Sequence, residues 1–162
     1  VEIYSTVTVV SLIDLNLVRE EQFLRLSIEQ EIVQNLAENA EKSITEQLKI
    51  VLAKQKRALA RRDFRELEAT LRLFSKILYE ASSVPDLWSL VCRYTIHSDR
   101  LRNLLLPTAA VSNDIIQDNF LILQAIADHD CKLAQVHVRN QPVRLLNNIS
   151  EIRERFQDYF RN

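Results

Sequence analysis

The sequence predicts an all-α fold, an antiparallel bundle of six or seven helices. Three observations carry this. Apolar residues recur at three- and four-residue spacings from Leu24 onward, as one face of a helix requires. Helix-start signals, a Ser or Asp followed three residues later by an acidic residue, punctuate that pattern. The connections between helical stretches are short, and no internal repeat, low-complexity tract or linker divides the chain. With 162 residues, 47% of them hydrophobic, there is enough chain for one core and too little for two comfortable domains.

The elements follow in order. "VEIYSTVTVV" alternates and is rich in β-branched residues, which predicts a short strand whose partner lies outside the fragment or in another copy. Residues 1–17 read as a connector from another module, and 18–162 as the helical domain. A helix runs from Glu20, with Leu24, Ile28, Ile32 and Leu36 as its apolar stripe and Arg25–Glu29 as an i,i+4 pair beside it. Ser43 and Glu46 form a capping box that predicts the start of the next helix, with Ile44, Leu48, Val51, Leu52 and Leu59 inward.

Asp63 and Glu66 open a third helix to about residue 81. Ser83, Asp86 and Pro85 predict the start of a fourth, long helix over 84–106, closed by Pro107 and Thr108. Ile116, Phe120, Leu123 and Ala127 mark a fifth. "DHD" at 128–130 is a tight connection whose Asp130 caps a sixth through Leu133, Ala134 and Val138. Pro142 predicts a kink or interruption near Asn140. A last amphipathic piece, "ISEIRERFQDYF", packs Ile152, Phe156 and Phe160.

Composition excludes several function classes. The 21 Lys plus Arg nearly cancel the 22 Asp plus Glu, so no strong field draws the chain to nucleic acid or an anionic membrane, and the basic run "KQKRALARR" reads as a solvated helix face. Cys92 and Cys131 lack the spacing of a zinc knuckle or redox pair and read as buried free thiols. No apolar run is long enough to span a bilayer and no secretion signal is present, so the expected location is cytoplasmic, away from membranes. "NIS" at 148–150 matches a glycosylation acceptor, a match without consequence in the absence of secretion.

Glycine and methionine are both missing. With no glycine there is no Gly-rich phosphate loop, and no HExxH, CxxC or GxSxG occurs, so the chain is not expected to be an enzyme, and no catalytic residue or cofactor is assigned. The start at Val1 reads as that of a fragment, a processed product or an engineered chain.

What stands out is polar interruption of inward stripes. Ser75 shares a face with Leu71, Phe74 and Leu78; Asn119 shares one with Leu123 and Ile126; Gln141 stands one turn before Leu145. An amide buried without a partner costs about 1–3 kcal/mol, so each needs an internal bond, a water or a ligand. Arg25 is a candidate anchor for a carboxylate, since guanidinium holds one at two points, unless Glu29 already satisfies it. His97 and Arg100 are weaker candidates nearby. His97, His129 and His137 form no local metal motif.

"RLSIE", "LRLFSKILYEASSVPDLWSLV", "HSDRLRNLLLP" and "ILQAIADHDCKLAQVHVRNQ" together resemble the FCD effector-binding domain of the FadR-like branch of GntR transcriptional regulators, over Leu24 to Leu146. The opening "STVTVVSLIDLNLV" resembles the end of a winged-helix wing and its connector, which suggests that a DNA-binding module has been cut away. The resemblance implies a FadR C-terminal domain-like bundle. Many members hold a metal at its centre with an Asp and a His one turn apart and two later histidines, positions that fall here on Leu71, Ser75, Asn119 and Gln141. None of the four keeps a metal-binding residue, so the expectation is a pocket without an ion.

The function implied is that of a homodimeric domain in which a small organic effector, a carboxylate among the candidates, biases the placement of attached winged helices. Contact with DNA would come only through the missing N-terminal module. Effector-binding residues would be Arg25, Ser75, Asn119, Gln141, His97 and Arg100, with Leu71 lining the pocket. The alternative is a ligand-free helical dimerisation or protein-interaction module, distinguished by close packing in place of a cavity.

Overall fold

The computed structural model describes residues 2–4, 7–147 and 149–161. Val1, Ser5 and Thr6 of the predicted strand, and Asn148 of the Asn-Ile-Ser match, lie outside the described residues. The start of the chain pairs with itself: β1 (Glu2–Tyr4) runs antiparallel to β2 (Val7–Val9), with Glu2 opposite Val9 and Tyr4 opposite Val7. The expected external strand partner is thus supplied from within.

Eight α-helices follow among the described residues: α1 (Leu15–Asn39), α2 (Lys42–Ala60), α3 (Phe64–Glu80), α4 (Leu87–Tyr94), α5 (Ile96–Leu105), α6 (Ala109–Ala127), α7 (Cys131–Asn147) and α8 (Ile149–Arg155), then a 3₁₀ turn at Gln157–Tyr159. The all-α bundle is as expected, with more helices than six or seven. Helix α1 packs on α7, α7 on α6, α6 on α2 and α2 on α3, which encloses the main core around Phe74, Leu48, Ile122 and Tyr79. A second core joins Ile13, Val18, Leu101, Leu105, Ile152 and Phe160, where both ends of the chain meet α5. There Ile13 N–H donates to Tyr159 (2.7 Å) and Arg161 N–H returns to Ile13 (2.9 Å).

Several helix ends differ from expectation for identifiable reasons. Helix α1 begins at Leu15 because Asp14 Oδ1 accepts from the amide of Asn16 at 2.9 Å. Ser43 lies inside α2, not at its cap, and its hydroxyl donates to Glu41 Oε2 at 3.3 Å. Ser83 and Pro85 precede α4, and Asp86 makes no side-chain cap bond there. The predicted long helix over 84–106 breaks at Thr95 (φ −109°, ψ 32°). Asp63 and Asp130 do cap, accepting from Glu66 N–H and Leu133 N–H at 2.9 Å each.

Without glycine, two tight helix–helix turns put other residues in the left-handed region: Arg62 (φ 55°) and His129 (φ 58°). Each closes a double C-cap. Asp63 N–H reaches Ala58 O while Arg62 N–H reaches Leu59 O, and Asp130 and His129 bond Ala125 and Ile126 in the same way. Pro142 sits inside α7, which continues through it to Asn147 and is not interrupted.

Candidate functional site

Helix periodicity places Gln22, Arg25, Leu26 and Glu29 on one stripe of α1, and Leu71 and Ser75 one turn apart on α3. These stripes, with Asn119 and its neighbours on α6 and Val138, Gln141, Pro142 and Leu145 on α7, line a cavity of about 80 Å³. Arg25, Leu71, Ser75, Asn119 and Gln141 are all at its wall. Ser75 also borders a smaller adjoining space with Trp88, Cys92 and Thr95, as do Arg25 and Arg102. Among the described residues the Ser75 side chain makes no hydrogen bond.

The two amides predicted to need partners find each other. Gln141 Nε2 donates to Asn119 Oδ1 (3.1 Å), Asn119 Nδ2 to Gln55 Oε1 (3.3 Å), and Gln55 Nε2 to the backbone oxygen of Thr70 (3.1 Å). A carbonyl can only accept, so Thr70 sets the direction of the whole chain. Asn119 is occupied on both sides, and Gln141 Oε1 is left as the acceptor at the cavity end.

Arg25 is fixed by its neighbour: Nε and Nη2 both donate to Glu29 Oε1, at 3.0 and 2.8 Å. The Tyr79 hydroxyl donates to the same oxygen at 3.3 Å. Burial alone would weaken the Arg25 charge, but the Glu29 carboxylate outweighs it and holds the guanidinium protonated more firmly than in water. For Tyr79, burial and then Glu29 push ionisation far above the ordinary phenol value. Arg102 reaches the cavity from α5 while bound to Glu68 (3.0 and 3.2 Å) and Asp99 (2.9 Å).

His97 and Arg100 are elsewhere. His97 Nδ1 accepts from Asp14 N–H at 3.1 Å, and Arg100 Nη1 donates to Ser11 O at 2.5 Å, so both tie the connector to α5 and neither lines the cavity. Cys92 and Cys131 are free and half-buried, not fully buried. Sequence reasoning missed Gln55, 0% exposed, although it falls on the inward stripe of α2 with Leu48, Leu52 and Ala58. It also missed Arg102, whose cavity contact depends on tertiary packing.

A metal does not fit this donor set. Leu71 offers only hydrocarbon, Ser75 a neutral hydroxyl, and the facing atoms of Asn119 and Gln141 are spent on each other. No group of three His, Cys, Asp or Glu able to hold an ion occurs among the described residues. No described helix is long and apolar enough to cross a membrane.

The family model of the FCD domain matches residues 22–140, most of the bundle and the cavity wall except Gln141, Pro142 and Leu145. No curated protein matches the sequence. FCD domains are regulatory and non-catalytic, with roles in effector binding and dimerisation. The chain therefore belongs to the FCD domain family, the effector-binding domains of FadR-like GntR transcriptional regulators.

Proposed function

We propose that the cavity is the effector site of this domain, that it works without a metal ion, and that its occupant shifts how the connector sits on the bundle. The observation that carries this is convergence: Arg25, Leu71, Ser75, Asn119 and Gln141, from four helices, meet around one space. Ser75 and Gln141 supply its neutral hydrogen-bonding groups, while Arg25 and Asn119 act mainly as fixed walls because their own partners occupy them.

Helix α5 offers the route outward. It brings Arg102 to the cavity, while Arg100 and His97 of the same helix hold Ser11 and Asp14. A ligand shifts this arrangement only as far as it binds one placement of α5 better than another, about tenfold in population per 1.4 kcal/mol. His97 and Arg100 thereby act as relays to the connector. In the full regulator the connector would lead to a winged-helix DNA reader and the domain would form a homodimer.

The test is titration calorimetry of the chain against a metabolite panel, repeated on Ser75→Phe, which fills the cavity. Binding that disappears in the variant supports the site. Binding that persists unchanged places the effector elsewhere and overturns the reading in favour of a packing or dimerisation role.

A further inference from the structure

We infer that the occupant of this cavity, on the reading that it is an effector site, is a small uncharged molecule rich in hydroxyl groups, not a carboxylate. Among the described residues, the two cations at the wall already hold carboxylates: Arg25 binds Glu29, and Arg102 binds Glu68 and Asp99. An entering anion would have to compete with those bonds. An entering ammonium would face Arg25 and Arg102, and the wall carboxylates are already engaged, Glu29 with Arg25 and Asp114 and Asp118 in interactions of their own. Burying either charge without a dedicated counter-charge costs more than the contacts return.

The groups left over are neutral and suit a hydroxyl. The fixed direction of the amide chain leaves Gln141 Oε1 accepting at the cavity end. The Ser75 hydroxyl, engaged with none of the described residues, can both donate and accept. Pro142 has no amide hydrogen to return to the carbonyl of Val138 one turn earlier, and both residues line the cavity, so a third acceptor loses its helical partner there. A hydroxyl donates once and accepts twice, which matches this mixture better than a carboxylate, which only accepts, or an ammonium, which only donates. Leu26, Leu71, Ile115 and Leu145 give the hydrocarbon side of such a molecule an apolar wall.

Calorimetry with erythritol and xylitol as neutral probes, malonate and succinate as anions, and putrescine as a cation decides the class. A polyol should bind most tightly. Its affinity should fall about tenfold in Gln141→Met, the loss of one or two hydrogen bonds. Ser75→Ala, a change too small to threaten folding, should weaken it several-fold, with circular dichroism checking both variants. Tighter binding of malonate, succinate or putrescine, abolished by Ser75→Phe, would overturn the polyol assignment and leave the effector site standing. If neither polyol binds while the wider metabolite panel does, the assignment alone fails; if nothing binds, the effector reading fails with it.

Discussion

The carboxylate of Glu21 on α1 accepts the amide of Ser98 at 2.6 Å and that of His97 at 3.1 Å, capping α5 from far along the chain. These amides are among the first of α5, with no partner inside the helix, and Glu21 is itself buried. Glu21→Ala leaves them unsatisfied and is expected to cost about 1–3 kcal/mol in urea unfolding. Hydrogen exchange should show the loss concentrated in α5 and the connector. Uniform loss across all helices would mean that Glu21 is not the local cap.

That cap also explains what the sequence could and could not disclose. Apolar spacing located every long helix, since burial of one face is a local property of each segment. Ser75, Asn119 and Gln141 were legible as interruptions of those faces, and they do share a cavity. The break at Thr95 was not legible, because the partner that stabilises a new helix start there is Glu21, remote in sequence. The failed cap at Ser43 is the reverse case: a matching local signal lost to a helix that starts at Lys42. Arg25 was read with both options open, and the structure shows it at the cavity wall and bonded to Glu29 at once, with both side chains largely buried.

Restoring the donors that the family resemblance implies tests the placement of the four positions. The combined variant L71D/S75H/N119H/Q141H would bring one carboxylate and three imidazoles to the cavity wall, a set that suits a transition metal. After dialysis against zinc, elemental analysis should find about one ion per variant chain and little on the parent, with a higher melting temperature for the loaded form. Equal zinc content in parent and variant would show that these positions do not converge as a donor set.

Arg62 holds φ at 55° at the end of α2, in a region where a side chain beyond glycine is strained. Arg62→Gly keeps both backbone caps and removes that strain, so it should stabilise the fold by about 1 kcal/mol, read as a higher urea midpoint. His129→Gly should gain less. Its ring nitrogen Nδ1 contacts the Ala37 carbonyl at 2.8 Å and that contact would be lost. A larger gain at His129 than at Arg62 would contradict the strain account.

Tyr79 supplies the pH prediction. Its hydroxyl is buried against Glu29, and burial first, then the carboxylate charge, raises its ionisation well beyond the ordinary value of 10.0. In the unfolded chain the phenol loses its proton near that ordinary value; in the folded chain it keeps it. The folded state then binds more protons above pH 10, and the contribution present below that pH is lost as pH rises. Stability should fall with a slope of about 1.4 kcal/mol per pH unit from this residue alone. Tyr79→Phe should cost about 1 kcal/mol at neutral pH, where Arg25 still holds Glu29, and should flatten the alkaline slope by that amount. Urea unfolding at a series of pH values from 8 to 11 measures both effects. An unchanged alkaline slope in Tyr79→Phe would show that the phenol ionises freely in the folded protein and that Glu29 is not its acceptor.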